Sequence, residues 1–123
     1  MKVEASDRAI HSQDDIVTEA GLVSCADITG EGSNRPLGIA FVLALRTIIG
    51  SGVLPPGAMM LGYTATWHEP PRPGAFRTEL RICVADPPRR RYQRVVIGYR
   101  TLEADGGRLI VEQAQEVLWP IAA

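Results

Sequence analysis

The chain has 123 residues, of which 46% are hydrophobic and 22% charged, with a net charge of −1 and a pI near 6.1. The length suits one domain covering residues 1–123, and the composition supports a packed core rather than a disordered chain. A charge so close to zero gives no global positive field for nucleic acid or an anionic membrane.

Cys25 and Cys83 form neither a metal motif nor a disulfide framework. Both lie among apolar residues, so buried free thiols in a reducing compartment are expected. Met1 to Ala5 is charged and lacks an apolar signal region. The longest apolar run, Leu37 to Leu45, is too short to span a bilayer and is followed at once by Arg46. A cytoplasmic protein with no membrane contact is the expectation.

In chain order, Val3 to Ile10 reads as a short first strand with weak alternation. Thr18 then fits an N-cap for a short helix over Glu19 to Asp27, with Leu22, Val23 and Ala26 at helical spacing and Gly30 ending it. Ser33 or Asn34 caps a second helix, with Pro36 in its first turn. From Leu37 to Leu45 this helix is apolar on every face, which predicts burial on every side and a sheet curled around it. Arg46 and Thr47 begin the exit from the core, and Gly50-Ser51-Gly52 stops the helix.

Four strands follow. Met59 to His68 is ended by Pro70-Pro71 and Pro73-Gly74. Phe76 to Ala85 alternates, with Phe76, Thr78, Leu80, Ile82 and Val84 on one face, and Asp86-Pro87-Pro88 breaks it. Arg89-Arg90-Arg91 reads as a solvated turn leading into Tyr92 to Glu103. Asp105-Gly106 signals a hairpin, and Arg108 to Trp119 returns as the last strand before Pro120. The class is α+β, a long central apolar helix wrapped by a curved antiparallel sheet.

That order of elements matches the hot-dog fold, and the local sequence resembles the MaoC-like (R)-specific enoyl-CoA hydratases and dehydratases. Asp15-Ile16-Val17-Thr18-Glu19, leading into Ala26-Asp27-Ile28-Thr29-Gly30-Glu31, resembles the family's opening. Trp67 to Gly74 resembles its apolar strand closed by a Pro-Gly turn, and Asp105-Gly106 followed by Leu109 to Ala114 its last hairpin. The resemblance runs from about Asp15 to Trp119. It implies an acyl thioester ligand on coenzyme A or an acyl carrier, no cofactor and no metal. A second reading of the arginine run, with Arg94, is then a grip on the coenzyme A phosphates.

Hydration of a 2-enoyl thioester needs a polarised carbonyl, a base for water and an acid for the α-carbon. The resemblance implies that backbone N–H at the start of the central helix holds the carbonyl. Gly38 fits that role, or it merely lets a strand pack closely on the helix. The family's Gly-Asp-x-Asn-Pro-x-His motif is degenerate. Here Gly30-Glu31-Gly32-Ser33-Asn34-Arg35-Pro36-Leu37-Gly38 stands in its place. In one alignment Glu31, Asn34 and Pro36 take the aspartate, asparagine and proline positions, and Gly38 replaces the histidine. In the other, Gly38 begins the central helix and the histidine-bearing loop is deleted. The second is preferred, because Pro36-Leu37-Gly38 leads directly into the apolar run; in both, the histidine is missing.

If the chain is an enzyme, Glu31 is the base, Ser33 or Asn34 positions water, Gly38 and Pro36 shape the carbonyl site, and His68 lies within reach of the substrate across a dimer interface. The alternative for Glu31 is a solvated loop carboxylate. The missing histidine also fits a non-catalytic subunit that pairs with an active hot-dog chain. A thioesterase ranks last, because no acidic residue lies in the helix from Leu37 to Ile49. Each reading predicts a homodimer or heterodimer, with Trp67, Trp119 and Tyr99 available for the interface or for plain core packing.

Overall fold

A computed structural model describes residues 3–21 and 37–121. The elements are β1 (His11–Val17), α1 (Leu37–Ser51), β2 (Met59–Trp67), β3 (Gly74–Ala85), β4 (Tyr92–Glu103) and β5 (Leu109–Pro120). The strands form one five-stranded sheet in the order β1-β3-β4-β5-β2, every neighbouring pair antiparallel. α1 packs on it chiefly against β1 and β3.

Register and alternation decide which side chains meet the helix. On β3, Phe76, Thr78, Leu80 and Ile82 are buried, and on β4 Gln93, Val95, Ile97, Tyr99 and Thr101. The cross-strand pairs Leu80–Tyr99, Ile82–Ile97 and Val95–Val117 stack these rows into one apolar face. The C-terminal half of α1 seats Ala44 and Ile48 on it, with Trp119 beside them. A second, smaller cluster lies under the other half of the helix: Val17, Ile39, Leu43, Phe76 and Ile110, with Trp67 packed against it. Tyr99 and Trp119 are therefore core residues, 1% and 7% exposed. Several polar side chains inside find partners. Thr78 and Thr101 share a hydrogen bond of 2.9 Å, and Thr47 donates to the Leu43 carbonyl at 2.7 Å.

Three expectations change. The first strand is His11–Val17, not Val3 to Ile10. Its inward residues are His11, Gln13, Asp15 and Val17, so only one of them carries an apolar signal, and the outward Ile16 is 80% exposed. Residues 3–10 run beside β3 without forming a ladder: Ser6 N–H bonds to Ile82 O and Ile10 N–H to Leu80 O, while Val3 exchanges two hydrogen bonds with the Gln93 side chain. The helix is not buried all round. Val42, Leu45 and Ile49 are 37%, 43% and 70% exposed, because a sheet on one side of a helix cannot cover the opposite face. Cys83 is exposed rather than buried, since it lies at the irregularity between Ile82 and Val84 on the outer face of β3. Cys25 lies outside the described residues. The hairpin expected at Asp105-Gly106 is present, joining β4 to β5, with Gly107 at φ 67°.

Other signals hold. Thr18 Oγ1 accepts the Gly21 N–H at 3.0 Å, the N-cap bond expected of it, although most of the helix proposed over Glu19 to Asp27 lies outside the described residues. Gly52, at φ 65°, ends α1 with its N–H on the Ile49 carbonyl. The arginine run forms an exposed turn in which Arg89 bridges Tyr92, and Arg94 pairs with Asp86 and Glu116.

Candidate functional site

The inward face of β1 is polar where the faces of β3 and β4 are mostly apolar, and this difference makes a site. Close packing of the strand on the helix depends on Gly50, where a Cβ would come within 2.6 Å of Gln13 Oε1. Further along, the strand and helix diverge around a groove of about 630 Å³. Its walls are Val17, Ile39, Val42, Leu43 and Phe76, with Asp15 and Arg46 across from each other. Behind this wall, between helix and sheet, lies a crevice of only about 10 Å³, lined by Val17, Ile39, Leu43 and Phe76 with Trp67, Pro71, Thr101, Ile110 and Val111. The smaller core cluster is thus also the apolar wall of the groove.

Asp15 is the unusual group in this cleft. Its side chain is only 7% exposed. Oδ1 accepts from Arg46 Nε at 2.6 Å, while the Arg46 side chain is 60% exposed. Oδ2 is buried and has no hydrogen-bond partner. A buried polar atom left unsatisfied costs about 1–3 kcal/mol, more when charged. The neighbouring Asp14 points outward and pairs with Arg77 at 3.0 Å. Trp67 Nε1 is also buried without a partner, so a donor and an acceptor stand open at separate residues of one cleft.

A second polar cluster lies on the inward face near β2. The Tyr63 hydroxyl donates to Gln113 Oε1, and the Tyr99 hydroxyl donates to Gln115 Oε1 at 2.7 Å. Phe41 meets the Tyr63 ring edge to face at 5.3 Å. Burial pushes the Tyr63 phenol up to about 12. It pushes Tyr99 up further still, with Tyr63 adding to the shift. Both phenols stay neutral at physiological pH and serve as donors, not as bases.

Of the residues singled out in the sequence, Glu31, Ser33, Asn34 and Pro36 lie outside the described residues. Gly38 is half-buried in the first turn of α1, next to Ile39 on the groove wall. His68 is exposed just beyond β2, where its Nε2 lies 3.2 Å from Glu112 Oε2 on the outer face of the sheet, and it lines neither the groove nor the crevice. The Arg100 guanidinium lies 3.8 Å from the same Glu112 carboxylate. Asp15 and Arg46 were not picked out by sequence reasoning. One sits in a strand with little apolar pattern, and the other read as the end of the helix's apolar run. Among the described residues no His, Cys, Asp and Glu groups gather into a metal site, and no helix is long and apolar enough to cross a membrane.

No protein-family model matches the chain, and no curated protein does. Solved structures do. A MaoC-like dehydratase from Rhodospirillum rubrum superposes with a TM-score of 0.71 at 19% identity, over 98% of this chain and 96% of that one. The chain has the hot-dog fold. Two further hot-dog structures support this. The unliganded R-hydratase PhaJ1 from Pseudomonas aeruginosa gives a TM-score of 0.62 at 21% identity, over 90% of this chain and 79% of its own. The HadBC (3R-hydroxyacyl-ACP dehydratase) complex from Mycobacterium tuberculosis, truncated at its C terminus, gives 0.66 at 14% identity, over 92% and 99%.

Proposed function

We propose that this hot-dog chain binds an acyl thioester in the groove between β1 and α1 and interconverts its 2-enoyl and 3-hydroxyacyl forms. The observation that carries the reading is the cleft itself. It begins beside the first turn of the central helix, has an apolar wall and holds one buried carboxylate. The positive end of the α1 dipole, in the turn containing Gly38, suits a thioester carbonyl that gains negative charge. Val17, Ile39, Leu43 and Phe76 on the groove wall suit the acyl chain. By sequence position, Glu31 is the proposed base and Ser33 or Asn34 the water ligand, with Pro36 shaping the turn before Gly38. The substrate's carrier is the one additional group the chemistry needs. Three dehydratase or hydratase structures that share the fold raise the standing of this reaction over others.

The same reading includes pairing with a second hot-dog chain. Val42, Leu45 and Ile49 form an exposed apolar stripe on α1. On the edge strand β2, Met59, Met60 and Leu61 are each at least half exposed. Edge strands and apolar stripes of this kind are ordinarily covered. The experiment for the reaction is incubation of the purified chain with short and medium 2-enoyl-CoA, following loss of the enoyl absorbance. A rate above buffer is expected, and none from a folded sample refutes it.

A further inference from the structure

The wall that α1 gives the groove is a single helical stripe: Ile39, Val42, Leu43 and Arg46 stand at i, i+3, i+4 and i+7. β1 runs antiparallel to it, with Gln13 level with Gly50 and Asp15 level with Arg46. The groove therefore follows the helix axis, apolar over Ile39, Val42 and Leu43, and ends on a guanidinium. The crevice behind the wall, about 10 Å³, is too small for a hydrocarbon chain, so a ligand lies along the groove.

Arg46 is held and yet available. Its Nε donates to Asp15 Oδ1 at 2.6 Å, and the Asp15 side chain is only 7% exposed, which makes the aspartate a buried anchor. The Arg46 side chain is 60% exposed, and among the described residues its Nη nitrogens donate to no acceptor. Asp14 is turned away to Arg77 and does not compete for them. An ion pair with one exposed partner contributes little stability, but it fixes the guanidinium plane. The free end-on pair of N–H donors then has the geometry that takes a carboxylate through two parallel bonds.

We propose that Arg46 selects the substrate: the groove takes a short acyl thioester whose chain ends in a second carboxylate, and the guanidinium binds that carboxylate. This rests on the acyl-thioester reading above. With the thioester carbonyl at the first turn of α1, the far end of the acyl chain points to Arg46, eight residues beyond Gly38. Their separation is a rise of about 12 Å which, less the reach of the arginine side chain, suits a diacid chain of about four to six carbons. A longer, wholly apolar chain would lay methylene groups on the ion pair and strip its water without replacing it. Asp15 already offsets part of the Arg46 charge, so the preference for a diacid is tens-fold rather than thousands-fold.

Glutaryl-CoA and pentanoyl-CoA have the same chain length, do not hydrate and differ in the terminal carboxylate. By calorimetry the wild type should bind glutaryl-CoA roughly 10- to 100-fold more tightly, as a charge-assisted bond gives. In Arg46→Gln, which keeps a donor for Asp15, the ratio of the two Kd values should fall to about one. Arg46→Lys keeps the charge and loses the fork, so its ratio should be intermediate; it decides the matter if the glutamine variant does not fold, and an undiminished ratio there counts against Arg46. A wild-type ratio near one overturns the proposal. So does a ratio that persists in Arg46→Gln while both ligands weaken, the result expected if the guanidinium meets a phosphate of the carrier, which both ligands share. A diacid preference that disappears in Arg46→Gln, without turnover of glutaconyl-CoA, supports the proposal and overturns the hydration reading alone. A wild-type chain that binds neither thioester overturns both.

Discussion

Leu43→Ala and Leu80→Ala remove the same atoms from two buried leucines, 5% and 0% exposed. Each loses three carbons' worth of burial, about 2.4 kcal/mol at ~0.8 kcal/mol per methylene. The remaining cost depends on the hole left behind, and Leu→Ala changes range over about 2.7–5 kcal/mol as the cavity grows. Leu80 sits inside the main cluster between Ile82, Tyr99 and the helix, so its truncation leaves an enclosed void. Leu43 already borders the groove, so its truncation enlarges a space that exists. We expect about 4–5 kcal/mol for Leu80→Ala and about 2–3 kcal/mol for Leu43→Ala. Urea unfolding at fixed protein concentration, with unchanged slopes, measures both. Equal losses would refute the claim that Leu43 lines an open cleft. Leu43→Ala should also shift chain-length preference toward longer acyl-CoA substrates, which Leu80→Ala should not.

Ile49→Lys places a charge at the most exposed position of the α1 stripe; if the proposed pairing uses this stripe, sedimentation should show the wild-type oligomer dissociating in the variant, with the helical circular dichroism unchanged. Retention of the oligomer would move the interface elsewhere. Thr18→Ala removes the bond to the Gly21 N–H and should cost about 1 kcal/mol in urea unfolding. Tyr63 should release its proton only near pH 12 in an ultraviolet titration. Because the unfolded phenol ionises near 10, this contribution to stability is complete below pH 10 and is lost as pH climbs toward 12. A Cβ at Gly98 would collide with Cys83 Sγ, so Gly98→Ala should cost about 1 kcal/mol, and Cys83→Ala in the same chain should recover part of it. Additive losses in that cycle would show that the thiol is not the obstacle.

How legible each part was follows from what each element must satisfy locally. β3 alternates Phe76, Thr78, Leu80 and Ile82 inward, so its period and its end at Ala85 were readable, although it begins at Gly74 rather than Phe76 and the irregularity after Ile82 turns Val84 outward, 40% exposed; β4 was read at Tyr92 to Glu103, the bounds it has. Gly52, proline pairs and the Asp105-Gly106 turn ended elements through backbone restrictions that act over a few residues. β1 was misplaced because its inward residues are His11, Gln13 and Asp15 before Val17, a polar set that shows its pairing only beside Phe76 and Thr78. The Asp15–Arg46 contact spans 31 positions, and no local pattern joins a strand aspartate to a helix arginine over such a distance.

By itself, then, the sequence determined an apolar helix too long to leave uncovered and four strands punctuated by proline and glycine, because period and chain breakers are local properties. Tertiary structure alone decided which faces of that helix were covered. One sheet reaches only one side, so Val42, Leu45 and Ile49 remain outside. It also decided where the groove lies: between β1 and the helix, where Asp15 and Arg46 meet beside Val17, Ile39, Leu43 and Phe76.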